Sequence, residues 1–113
     1  MKKYTASRVD GYPVVRVHDD DRRVHYRLQP NRSQRLCNHS PDGFEWAYGG
    51  SGPSQLALAI LLDVTGDPDV AELLHQPFKW QYVATAPKDG FSLTEDDVRT
   101  WVSAQQQSRE QGI

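Results

Sequence analysis

The chain has 113 residues, 37% of them hydrophobic and 25% charged, with a net charge of −2; this is the composition of one ordinary globular domain, and it excludes collagen-like, disordered and membrane-embedded classes. The single cysteine, Cys37, excludes an internal disulfide framework and a zinc site with several thiolates from this chain. Residues 1–52 hold nine Lys/Arg against six Asp/Glu and residues 53–113 four against nine, so the halves carry +3 and −5, but opposite signs within one small domain attract each other on folding and do not by themselves demand a nucleic-acid partner.

Residues 1–11 are polar and are expected to fray. Residues 12–18 (YPVVRVH) and 23–29 (RVHYRLQ) are rich in β-branched and aromatic residues, which predicts two strands joined as a hairpin through the acidic loop at 19–22. Residues 30–42 carry Pro30, Asn31, Asn38, Ser40 and Pro41 and read as irregular, with a short strand near 35–37. Phe44, Trp46 and Tyr48 fall at alternate positions, which predicts a third strand with all three rings on one face.

Gly49, Gly50 and Gly52 interrupt that strand, and Pro53 suits the first position of a helix, where its missing N–H costs nothing. The helix body SQLALAILLDV is apolar on nearly every side, so it should be enclosed by the rest of the domain, and Gly66 supplies its stop. Asp67 and Pro68 start a second helix, with Val70, Leu73, Leu74 and Phe78 on its apolar side and a kink expected at Pro77. Thr94 caps a third helix, whose stripe is Val98, Trp101 and Val102; residues 104–113 have nothing to bury and should fray. The prediction is one α+β domain, a small antiparallel sheet of about three strands in the N-terminal half packed against about three helices in the C-terminal half. No stretch is long and apolar enough for a membrane span and the start lacks a secretory apolar region, so a cytoplasmic protein is expected.

The Gly-rich turn carries the most chemical potential, because free N–H groups at a helix start can hold an anion. Gly49, Gly50, Ser51, Gly52 and Ser54 are the candidate residues. A phosphate-binding P-loop would need Gly-Lys-Ser/Thr at its end, a dinucleotide fingerprint needs Gly or Ala where Gln55 stands, and a nucleophile elbow needs Gly where Pro53 stands. Arg22, Arg23, Arg27, Arg32 and Arg35 form a candidate surface for a partner or for nucleic acid, and with Arg16 and the aromatic ladder they suit stacked bases. His18, Asp19 and Asp21, or Cys37 with His39, have ligand chemistry but not the spacing of a calcium loop or a four-ligand zinc site. Neither a metal, a cofactor nor a catalytic triad is therefore expected.

The segment YGGSGPSQLALAIL, from Tyr48 to Leu61, closely resembles the hallmark of an uncharacterised family of small bacterial, archaeal and phage proteins, in which Ala is usual at Ser54. The resemblance continues through Phe78-Lys79, Val83-Ala84 and Pro87 to Phe91-Ser92-Leu93-Thr94 and the helix carrying Trp101; it covers roughly residues 42–102, and Ala47 stands where Gly is common. It implies a shared fold and a phage or mobile-element setting. The leading functional expectation is a non-enzymatic binding protein that acts by contact with a host protein, such as an inhibitor of a CRISPR-type immunity component, where a two-signed charge distribution orients association. The alternatives are a small-ligand domain that holds a nucleotide or other anion at residues 49–53, and nucleic-acid binding through the Arg-rich half.

Overall fold

In the computed structural model, which describes residues 1–111, the chain opens with a tight hairpin. Asp10 and Gly11 both take positive φ, 51° and 82°, as a two-residue turn of the favoured hand requires. They join β1 (Lys2–Val9) to β2 (Tyr12–Asp19), paired from Lys2↔Asp19 to Val9↔Tyr12. β3 (Val24–Arg27) lies on the far side of β2, and β4 (Gly90–Thr94) pairs with β1, which gives an antiparallel sheet in the order β3-β2-β1-β4. The start expected to fray is thus an inner strand. It is held because Tyr4 and Ala6 alternate inward onto the core, beside Val15 and Val17 of β2.

α1 (Asn31–Leu36) forms where a short strand was expected. Its one buried side chain is Ser33, so a polar segment becomes helical through what it docks against and not through an apolar stripe of its own. α2 (Ser51–Thr65) is the central element: Leu56, Leu58, Ile60 and Leu61 are all fully buried, and Gly66 ends the helix in the left-handed conformation, φ 66°. Gln55 is buried with them, and its amide joins two elements. Its Oε1 accepts from the His39 and Ser40 N–H groups at 2.8 and 3.0 Å, while Nε2 donates to Ser33 Oγ and the Cys37 carbonyl at 2.9 and 3.1 Å.

Asp67 caps α3 (Pro68–Phe78) by accepting from the Asp69 and Val70 N–H groups, a contribution of about 1 kcal/mol. Pro77 stays inside the helix, and just beyond it the backbone widens into a π-helical turn, Lys79–Val83. α4 (Glu95–Gln111) starts with a reciprocal cap: Thr94 Oγ1 accepts from the Asp97 N–H, and the Thr94 N–H donates to Asp97 Oδ2, both at 3.1 Å. The end expected to fray from residue 104 continues this helix to Gln111; residues 112–113 lie outside the described residues. Phe78 packs edge-on to Trp101, centroids 5.2 Å apart, and closes α3 onto α4.

Asp63, on α2, ties the sheet to the helical layer by accepting from the Tyr4 and Tyr26 hydroxyls and from Lys2 Nζ. Burial first, and then the bond to Asp63, push both phenols up, so both remain donors at neutral pH. Among the described residues the architecture is α+β, with four strands and four α-helices where about three of each were expected, because β1, β4 and α1 were not foreseen and the strands predicted near 35–37 and at 44–48 are absent. Residues 44–48 form a loop. Trp46 is buried and Tyr48 is exposed, so the rings do not share a face. Ala47 between them takes a φ of 76°, which breaks the alternation that the ladder needs.

Candidate functional site

The Gly-rich turn stands at the N-terminus of α2, and its glycines answer to different neighbours. A Cβ at Gly52 would come within 2.7 Å of Glu45 Cβ and 3.1 Å of the Glu45 backbone nitrogen, so this glycine lets the 44–48 loop cross the helix start at close range. At Gly49 a Cβ would penetrate the Trp80 indole, and at Gly50 the Tyr48 ring. The adjacent glycines are therefore seats for two aromatic side chains. Those side chains are not core: Trp80 is 57% exposed and Tyr48 52% exposed.

Trp80 reaches this seat from the π-helical turn, with the Lys79 ammonium 4.5 Å from its ring centroid. Leu73 and Pro77, which precede it by seven and three residues on α3, are exposed as well, and this spacing places all three along one outward stripe. Tyr48, Trp80, Pro77 and Leu73 thus make an apolar margin around the turn. Trp80 has no counterpart among the sequence-derived candidates, because an isolated exposed Trp breaks no periodicity; the two adjacent glycines were the only trace of it.

The anion-cradle candidates are placed as follows. Pro53 has no N–H, and the Ser54 N–H is given to the Gly50 carbonyl at 3.2 Å, which leaves the first turn with two donors, from Ser51 and Gly52. Gly52 is buried and Ser51 exposed. Ser54 is buried; its hydroxyl donates to the Gly50 carbonyl at 3.2 Å and accepts from Gln76 Nε2 at 3.4 Å. Gln76 in turn meets His75 Nε2 at 3.2 Å, and His75 Nε2 meets His39 Nε2 at 2.9 Å. A hydrogen-bonded chain therefore runs from the turn to the 37–40 loop. Because the Glu72 carbonyl lies 2.6 Å from His75 Nδ1, the proton belongs there and His75 Nε2 accepts. Burial, followed by the nearby His75 and Lys79, holds the His39 imidazole below its ordinary range.

Beside the turn lies a cleft of about 460 Å³ lined by Arg8, Gly11, Glu45, Trp46, Ala47, Tyr48 and Lys88. Two of its charges pair with each other: Arg8 forms two bonds to the Glu45 carboxylate, at 2.9 and 3.3 Å, and its guanidinium lies 4.3 Å from the Trp46 ring centroid. The five candidate arginines are spread over one turn, one strand and one helix. Arg22 and Arg23 sit at the β2–β3 turn, Arg22 beside Asp19 at 3.7 Å; Arg27 is on β3; Arg32 and Arg35 are on α1. Among the described residues no group of three or more His, Cys, Asp or Glu is arranged to hold a metal ion, and no helix is long and apolar enough to cross a membrane.

Comparison with known families matches residues 4–104 to a family of unknown function (DUF6166). No curated protein and no solved structure matches the chain.

Proposed function

We propose that this chain, which belongs to that family of unknown function, is a non-enzymatic binding protein that docks a protein partner through the aromatic margin of its Gly-rich turn. One observation carries the reading. Gly49 and Gly50 have no side chains where the indole of Trp80 and the ring of Tyr48 lie, and both rings remain more than half exposed. Two large rings held against backbone at the surface have little conformational freedom left to lose on association, and Trp and Tyr are the residue types that dominate protein interfaces. Leu73 and Pro77 extend the same apolar margin. Inhibition of a CRISPR-type immunity component is the specific form this contact would take in the phage or mobile-element setting that the sequence resemblance implies.

The test is affinity capture from host lysates with the wild-type chain and with Tyr48→Ala and Trp80→Ala. A stoichiometric protein should be captured by the wild type and lost with either variant, while both variants fold normally because they remove exposed side chains. Equal capture by all three chains, or capture by none across suitable hosts, would contradict the reading.

A further inference from the structure

The sheet has a second face, turned away from the helices. Tyr4, Ala6, Val15 and Val17 point inward to the core, so the intervening residues of the same strands point out. The pairing register sets these outward residues in two neighbouring rows across the strands. One row is His25, His18 and Lys3; the next is Arg27, Arg16 and Thr5. β4 extends both rows with hydroxyl residues. All but Thr5 of the six named are exposed, and none of the strand positions in these rows is a carboxylate.

Two details set this face apart from an ordinary solvated one. Arg16 and Arg27 are direct cross-strand partners, and like charges placed opposite each other destabilise a sheet. Neither of them, nor Lys3, has an ion-pair partner among the described residues; Arg23, Arg32, Arg35 and Lys88 share that lack, so it is the direct opposition of Arg16 and Arg27 that marks this face. The sheet thus keeps unneutralised a pair of cations that repel each other. The imidazoles of His18 and His25 stand edge to face beside them, centroids 5.4 Å apart.

We infer that this open face is a binding surface for single-stranded nucleic acid. Guanidinium planes and imidazole rings both stack on unpaired bases, Lys and Arg neutralise phosphates, and an open antiparallel sheet face displays such groups to splayed nucleotides. An acidic protein segment would use the cations and leave the ring faces without a role. The surface lies on the opposite side of the sheet from the helices, and so is separate from the Trp80 margin and independent of it.

Fluorescence anisotropy with randomised 20-nucleotide RNA and DNA pools at 50 mM salt tests the inference. Binding is expected, and neutralisation of three phosphates by Lys3, Arg16 and Arg27 gives a log–log salt slope of about −2, or roughly 20-fold weaker binding at 200 mM salt. Arg16→Glu with Arg27→Glu should reduce binding at least about tenfold; it replaces one like-charge pair by another, so cross-strand repulsion is preserved and loss of folding is not the expected cause. Melting curves of that variant verify this. No binding of either pool at 50 mM salt, equal binding by the double variant, tighter binding of a duplex, or displacement by polyglutamate at equal charge would each overturn the inference.

Discussion

Gly49 and Gly52 lie three residues apart in one turn, yet one faces outward to an exposed ring and the other faces inward to backbone. At Gly52 the obstructing atoms belong to Glu45 Cβ and main chain, which cannot move without displacing the 44–48 loop. At Gly49 they belong to the far end of the half-exposed Trp80 side chain, which an added methyl group would push out toward solvent without moving backbone. The same residue type therefore serves architecture at one position and a surface at the other. A Gly-rich motif at a helix start need not be an anion cradle: what lies where the Cβ would be decides its use.

Substitutions on the two sides should separate these roles. The largest effect is expected at Gln55, on the inward side. Gln55→Leu strands the His39 and Ser40 N–H groups, the Ser33 hydroxyl and the Cys37 carbonyl, and should cost about 3–5 kcal/mol in denaturant unfolding. A cost under about 1 kcal/mol would mean that the 37–40 loop is not anchored by this amide. Next, Gly52→Ala should destabilise by about 1–3 kcal/mol through forced displacement of Glu45.

Ala47→Gly should act in the opposite direction. At φ 76° the alanine carries a left-handed penalty of about 1–2 kcal/mol that glycine lacks, offset in part by the extra chain freedom glycine loses on folding, so a net gain of about 0.5–1 kcal/mol is expected. This accounts for the glycine that is common at this position in the resemblance. An unchanged or lower midpoint would remove that explanation.

A smaller effect should appear in acid. The folded state holds His39 below its ordinary range, chiefly by burial and then by His75 and Lys79, so in acid the unfolded chain binds the proton more readily. The stabilisation is fully present above about pH 6.5 and is lost as pH falls through the lowered folded value. Stability of the wild type should therefore decline more steeply below pH 6.5 than that of His39→Gln. Parallel pH profiles would show that this imidazole is not a source of the acid sensitivity.

Much of the helical half was legible from local chemistry. An uninterrupted apolar body indicated an enclosed α2, Gly66 its end, and Asp67 and Thr94 the starts of the helices that follow; each signal acts within one turn. The sheet was harder. Asp10-Gly11 is a strong local hairpin signal and could have revealed β1, since Tyr4 and Ala6 alternate with Lys3 and Thr5. β4 has its partner at the other end of the chain, and no local pattern announces such a pairing. Residues 44–48 show the converse failure, where alternation of rings without a neighbouring strand left a loop. For the site, the glycines were visible but the reason for them was not, because Trp80 reaches Gly49 only through the packing of α3 and its π-helical turn against α2.

The contrast between the two glycines is tested most directly by Gly49→Ala, measured for both unfolding free energy and partner capture in the same preparation. A change in stability within about 0.5 kcal/mol is expected, with a shift in tryptophan emission as the Trp80 indole leaves its seat and loss of the captured protein. Retained capture with the indole displaced, or a loss of stability as large as that of Gly52→Ala, would contradict that contrast.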